Sequence, residues 1–475
     1  MSKVDTVRKE YELLLPDVQK NRAVVKGERA IKEGQNALAY LPPLPSMCAN
    51  LVEDEVGNQS YSIGQSLTYE GRASYNKYLS LAYFYAATGR TVDGLTGLIF
   101  AKSAKKDLPE RIDYLNKNVN GRGDSIRTFS QRLVREAFQT PRLGVLVEFP
   151  KVEGRVTVAE SERLNLRPRL VCYPFETIIN WHYETIKNEE TLTLVVLKET
   201  VNTQTERFSI EAKTQYRVLE LIDGSYHQSL YDDKGDEINP PTQIMVNGAS
   251  SSVIPFFEIS CGEDNKTLID DLADANLNHY RFFADYAAKE HASAFPIFFE
   301  TGAVDEGKNV LIGPGSKWEN PVTDATFGVV QTESDGGSMR TYLQDMEQRM
   351  AALGAEMLKP RINQAESAEA KGLDQVAQNS TTADLAMTVS DVMRKALQFC
   401  AKWMGVETEV IYELNTDYNP TGMNPQLLTA LMNAVQVGEI SSQTFYENLQ
   451  KGEIANPERS FEDEQALITQ RDMGE

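Results

Sequence analysis

The run "LIDDLADANLNHYRFFADYAAKEHASAFPIFF", residues 268–299, constrains the fold of this chain more than any other stretch. Its first two dozen residues have helical spacing, yet the apolar side chains do not keep to one stripe. Leu268, Leu272, Ala275, Phe282 and Tyr286 share one side, while Ile269, Leu277, Tyr280, Phe283 and Ala287 lie on others. A surface helix buries a single stripe, so a helix apolar on several sides has to be enclosed. Pro296 stops it, and a strand-like run follows.

The residues after it predict a helix, a small β insert and a second helix. "AFPIFFETG" (294–302) and "KNVLIGPGSKWENP" (308–321) read as short strands on either side of an acidic loop. "SMRTYLQDMEQRMAALGAEML" (338–358) carries Met339, Leu343, Met346, Met350, Leu353 and Met357 at spacings of three and four. Pro360 and the polar stretch 361–372 break that helix. A third helix is predicted over 373–405, long enough at 1.5 Å per residue to cross a whole domain. Two short helices joined near Gly438–Glu439 follow, and the acidic tail beyond Pro457 is expected to be loose at its end.

The N-terminal half reads as a mixed body of about 260 residues, an α+β arrangement. Its first 35 residues are polar and helix-forming, with Pro16 interrupting, and end at the rigid "LPPLPS" (41–46). Tyr69, Tyr75, Tyr78, Leu79, Tyr83 and Tyr85 recur at mostly helical spacing and are expected in the core. Gly94 and Gly97 are expected where helices approach closely or turn. The "RGD" at 122–124 invites a cell-adhesion reading, but Asp124 or Ser125 is better read as the cap of a helix whose face carries Ile126, Phe129, Leu133 and Phe138. Strands are predicted at 142–150, 167–175, 191–201, 215–223 and 252–260.

Charge and motif content exclude several functions. A net charge of −21 repels a polyanion, so tight wrapping of nucleic acid on a basic face is not expected, whereas a surface that DNA must pass without sticking suits that balance. From Val406 onward there are thirteen acidic against three basic residues, nearly half the surplus. Cys48, Cys172, Cys261 and Cys400 are far apart, without a CxxC pair, and are expected as small buried side chains in a reducing compartment. His182, His227, His279 and His291 lack metal-ligand spacing. The phosphate-loop, dinucleotide and nucleophile-elbow patterns are missing, so neither an enzyme nor a cofactor is expected. No apolar run approaches the roughly 20 residues of a membrane span, and the start lacks a signal peptide's uncharged core, which places synthesis in a cytoplasm.

With these features in order, the chain resembles the portal proteins of tailed bacteriophages, and in particular a portal family long catalogued as a domain of unknown function. The likeness rests on "YLPPLPSM" (40–47), "YEGRASYNKYLSLAYFYAATGRTVDGLTGLIFAK" (69–102), "LVREAFQTPRLGVLVEFP" (133–150), "LIDDLADANLNHYRFFADY" (268–286), "VLIGPGSKWENP" (310–321) and "MEQRMAALGAEML" (346–358). None of these is a catalytic signature; the match is one of order and texture over most of the chain.

The resemblance implies a subunit of a ring, usually of twelve, at one capsid vertex in the virion, made in the host bacterial cytoplasm. Such a ring would admit and later release double-stranded DNA without sequence preference. It implies a wing over residues 1–265, stem helices 266–291 and 338–352, a clip 292–337, a tunnel loop 353–372, a long wing helix 373–405 and a crown 406–475. Leu272, Tyr280, Phe283 and Tyr286 would then serve stem contacts between subunits, Trp318 would contact a partner at the clip, and Lys359, Arg361 and Lys371 would face DNA. The implied partners are a terminase packaging motor, a major capsid or scaffolding protein and a head-tail adaptor, with no membrane. Enclosure between neighbouring subunits would explain the many-sided helix. Two alternatives remain at this level: another head-tail connector or minor capsid protein, and an uncatalogued hydrolase using His279 or His227 with a nearby carboxylate.

Overall fold

The computed structural model describes residues 3–53, 59–64, 66–150, 163–164, 166–246, 249–260, 266–294, 297–301, 326–330, 336–356, 380–416, 418, 425–451, 455 and 459–472. They belong to two compact units, Met1–Thr416 and Asp417–Glu475. The first is an α+β unit.

It opens with helices α1 (Lys9–Lys26), α2 (Glu28–Lys32) and α3 (Gln35–Tyr40), then the β1–β2 hairpin (Ala49–Glu53, Gln59–Ile63). Pro16 does not interrupt as expected, because α1 runs through it. Burial of Tyr11, Val18 and Val25, seven residues apart on one face, holds the helix despite the lost backbone bond. Helices α4 (Tyr69–Leu81) and α5 (Ala87–Ile99) follow. Of the tyrosine stripe, Tyr75 and Tyr78 are buried, whereas Tyr69 is 93% exposed, so the stripe is core only in part. Gly94 and Gly97 lie inside α5 on its open side; a Cβ at either would touch nothing, so the close approach expected there is absent within the subunit.

Two antiparallel sheets form the β body. Beyond the short β3 (Lys105–Asp107) and α6 (Ile126–Gln139), strands β4 (Arg142–Glu148) and β5 (Arg169–Tyr173) pair side by side. A five-stranded meander comes next: β6 (Ile178–Ile186), β7 (Glu189–Glu206), β8 (Ser209–Ile222), β9 (Ser225–Asp232) and β10 (Glu237–Gln243). The small hairpin β11–β12 (Met245–Val246, Ala249–Ser250) leads to β13 (Phe256–Ser260), which completes the first sheet in the order β13-β4-β5. Gly144 on β4 is required by this packing, since a Cβ there would fall inside the Phe256 ring of the paired strand.

Between the sheets and α1 lies a core that includes Val18, Phe175, Trp181, Val195, Leu197 and Leu219. A charged cluster joins the sheets beside it. The Arg217 Nε on β8 donates to Glu199 Oε1 at 2.7 Å and its Nη1 to Glu148 Oε1 at 3.0 Å, while the Tyr173 hydroxyl donates to Glu199 at 2.6 Å. Burial works against ionisation of Glu199, but Arg217 and these donors hold its carboxyl below the usual range.

Ser125 is the cap of α6, accepting from the Thr128 amide, and Asp124 instead accepts from Asn120 and pairs with Arg132 at 2.8 Å. The carboxylate of "RGD" is therefore engaged within its own chain.

The remaining elements of this unit are helix α7 (Asp270–Ser293), strands β14 (Ile297–Thr301) and β15 (Thr326–Val330), helix α8 (Gly337–Glu356), helix α9 (Thr381–Trp403) and β16 (Ile411–Glu413). Ser380 caps α9, whose Leu385, Val389, Met393, Leu397 and Cys400 are buried against the body. The second unit holds α10 (Pro425–Val437), α11 (Ser442–Lys451) and α12 (Phe461–Asp472). Its tail is helical from Phe461 through Asp472, and the end expected to be loose, residues 473–475, lies outside the described residues. Tyr446 packs on Phe461 at 5.7 Å, and its hydroxyl donates to the Arg459 carbonyl.

Among the described cysteines, Cys48 and Cys400 are buried and Cys172 half-buried. Burial pushes the Cys172 thiol up to about 12, which makes it unreactive. No described helix is long and apolar enough to cross a membrane.

Candidate functional site

Helices α7 and α8 pack together, with β14 and β15 paired antiparallel between them in the chain, so the predicted order of helix, β insert and helix is present. The second strand of the pair is residues 326–330, which the sequence reading did not single out. The predicted strand at 308–321, with Trp318, lies outside the described residues, as do Lys359, Arg361 and Lys371.

The two halves of α7 have different environments. The first half is locked into its own chain. Asp270 Oδ1 accepts from the Asn21 side chain at 2.7 Å, and Asp270 Oδ2 accepts from the Thr267 amide. Asn276 Oδ1 accepts from the Thr88 amide and hydroxyl, and its Nδ2 donates to the Tyr85 carbonyl at 2.6 Å. Every one of these polar side chains is buried, so each hydrogen bond made here avoids the cost of an unpaired polar group. Leu272 and Tyr280 are 1% and 0% exposed, packed within the subunit, with Tyr280 edge-on to Phe84 at 5.7 Å.

From Phe282 onward the helix is only partly covered. Phe282, Phe283 and Tyr286 are half-buried. Phe282 lies 4.5 Å from Tyr342 of α8, which is 50% exposed, and Phe283 contacts Tyr83 and Tyr286 at 5.8 and 6.3 Å. Helix α8 buries Leu343, Met350 and Gly354, half-buries Met339, Met346, Glu347 and Leu353, and leaves most of its other described residues exposed. Of the four predicted stem-contact residues, then, Leu272 and Tyr280 are enclosed by their own chain, while Phe283 and Tyr286 belong to an aromatic patch with free area.

Two features at the helix pair were not legible beforehand. Gly336, at φ +64°, has a backbone conformation that favours glycine at the point where the chain enters α8 beside Glu290 and Tyr286 of α7. His279 is 1% exposed, caged by Tyr85 and Phe283, with Glu347 Oε1 3.4 Å from its Nε2. Burial lowers its pKa, with Glu347 opposing. A hydrolytic base has to reach substrate, and a ring this enclosed has no access to one. His227 has its Nδ1 on the Ser225 carbonyl at 2.8 Å and stands opposite Glu220 across the β8–β9 pair, with no ion pair between them. Among the described residues no three His, Cys, Asp or Glu side chains converge as a metal site.

A family model described as "Domain of unknown function (DUF4055)" matches residues 269–404, the span from α7 through α9. No curated protein matches the chain. Solved structures similar to it include chains of the virion of a native gene transfer agent particle (10% identity, 75% of this chain and 88% of that chain covered, TM-score 0.38). Others come from the neck of the native particle computed with C12 symmetry (10%, 76% and 89%, 0.38) and the neck of the empty particle computed with C6 symmetry (11%, 78% and 90%, 0.38). Similarity at this level establishes neither the fold nor the role of this chain.

Proposed function

We propose that this protein is a ring-forming portal subunit of a phage-like particle, a conduit for double-stranded DNA and a docking site for a packaging motor and a head-tail adaptor. In this reading it resides in the virion, at one capsid vertex beside the major capsid or scaffolding protein. The observation that carries it is the two-part α7: one half pinned inside the subunit by buried hydrogen bonds, the other presenting Phe282, Phe283 and Tyr286 with α8 as a partly covered aromatic pair. A monomeric enzyme has no use for such a patch; a ring of subunits places it against the next copy.

Residues 1–265 would be the wing and 373–405 its long helix, 266–291 with most of α7 and 338–352 within α8 the stem, residues 292–337 the clip, 353–372 the tunnel loop and 406–475 the crown. The acidic surplus of the chain supports the same role, because a lumen of net negative charge lets phosphates slide past. Lys359, Arg361 and Lys371 would supply a few guiding cations, and Trp318 a partner contact at the clip. The function is mechanical and electrostatic, with no bond made or broken.

Negative-stain imaging with mass photometry of the purified protein tests this. Rings of about twelve subunits with an axial channel are expected. A protein that stays monomeric at tens of micromolar, alone and with its co-expressed capsid proteins, would overturn the reading.

A further inference from the structure

Strands β7 and β8 outrun their sheet. Pairing of β7 with β6 ends at Leu197, and pairing of β8 with β9 ends at Gln215, yet β7 and β8 continue together from Thr200 opposite Thr214 to Glu206 opposite Ser209. The result is a two-stranded arm that projects roughly 20 Å past its neighbours at about 3.4 Å per residue. From Val201 to Lys213 every side chain described is exposed, on both faces. At its tip Phe208 is 89% exposed and Ile210 70%. A lone hairpin with no core on either face is marginal in water, and an open phenyl ring at its end adds a cost that only a partner removes.

The same subunit carries an unfilled groove of about 980 Å³ between the β11–β12 region and α9. Phe257, Phe399 and Val410 form part of its floor, with the two rings 6.1 Å apart. Lys395 and Lys402 line one side and Glu407 another, and none of the three has an ion pair among the described residues. The arm displays the opposite signs: Glu206 for the lysines and Arg207, whose guanidinium lies 5.0 Å over the Phe208 ring, for the glutamate, while Glu211 pairs with Lys213 on the arm itself. With Phe208 open to solvent, the subunit does not fill its own groove.

We infer that the β7–β8 arm of one subunit seats Phe208 in the α9 groove of a second copy, a head-to-tail contact. Knob and socket are different surfaces of one chain, which is the requirement for a heterologous interface, and such an interface makes rings when its rotation closes. The inference deepens the ring reading and rests on it. It places a clasp between subunits on the α+β unit, separate from the α7–α8 pair. The polar flanks of the arm fix orientation, and the phenyl supplies the buried anchor.

The test uses the full-length chain carrying Phe208→Cys and Val253→Cys, the latter on the groove wall, with each single variant as control. Oxidation is expected to give a ladder of disulfide-linked multimers on a non-reducing gel for the double variant alone. Rings of normal mass without a ladder overturn the clasp and leave the ring reading standing. A disulfide within a monomer shows the groove to be filled by its own arm, and absence of both rings and ladder removes clasp and ring together. In parallel, Phe208→Ser, a change at a position 89% exposed, is expected to raise the concentration for half-assembly at least about tenfold with unchanged melting temperature. An unchanged assembly concentration would also overturn the clasp.

Discussion

His279 is where single-residue chemistry reaches the helix pair. Its ring is buried between Tyr85, Phe283 and Glu347, and burial lowers its pKa relative to the unfolded chain, with the Glu347 carboxylate opposing. A folded-state pKa below the unfolded one means that the unfolded state binds the proton first. The stability His279 contributes is complete above the unfolded value, near 6.5, and is lost as pH falls below it toward the folded value. Melting temperature is therefore expected to drop between pH 7.5 and 5.5, and His279→Phe to flatten that slope, since phenylalanine fills the cage without titrating. Equal slopes in the two proteins would show that other groups govern the acid response.

Elements are held together by charge as well as by apolar packing. Arg217 on β8 bridges Glu199 of β7 and Glu148 of β4, tying the meander to the three-stranded sheet, and the side chains of all three are no more than 17% exposed. Removing Arg217 leaves Glu199 without its cation in a largely buried site, while Glu148 keeps Arg169 at 2.6 Å. Arg217→Met is expected to cost about 3–5 kcal/mol, read by urea denaturation at pH 7. Arg217→Lys should recover only part of this, because an ammonium cannot serve two carboxylates with the geometry of a guanidinium fork. A loss below about 1 kcal/mol for the methionine variant would mean that the sheets are joined by the apolar core alone.

Assembly belongs to the whole molecule. Phe283→Asp places a carboxylate in the aromatic patch of α7, and Tyr342→Asp does so on the half-exposed face of α8. Enclosed by a neighbouring copy, an unpaired carboxylate costs several kcal/mol per subunit, and a ring repeats that cost at every contact. Both variants are expected to remain folded by circular dichroism and to lose rings in light scattering. Tyr342→Asp separates the two effects, because its site is half solvated in the subunit. Normal rings from both would show that the helix pair is not an interface.

How far the fold was legible follows the range of the physics. Helix period, capping and breaking residues are local, so the sequence alone placed α7, α8 and α9, the α6 cap at Asp124 or Ser125 and the strands around β4, β5, β7, β8 and β13 to within a few residues, apart from the length of β7 and β8, a later start for α9 and the choice of Ser125 as the cap. Strands β6, β9 and β10 escaped, because residues such as Tyr183–Ile186 face solvent and carry no alternation of buried and polar positions. Only tertiary structure decided which half of α7 its own chain encloses. That enclosure depends on Asn21, Tyr85 and Thr88 meeting Asp270 and Asn276 from more than 180 positions away, and no window of sequence contains both partners. The reach of the β7–β8 arm past its sheet is decided in the same way, by where β6 and β9 stop pairing rather than by any residue in the arm itself.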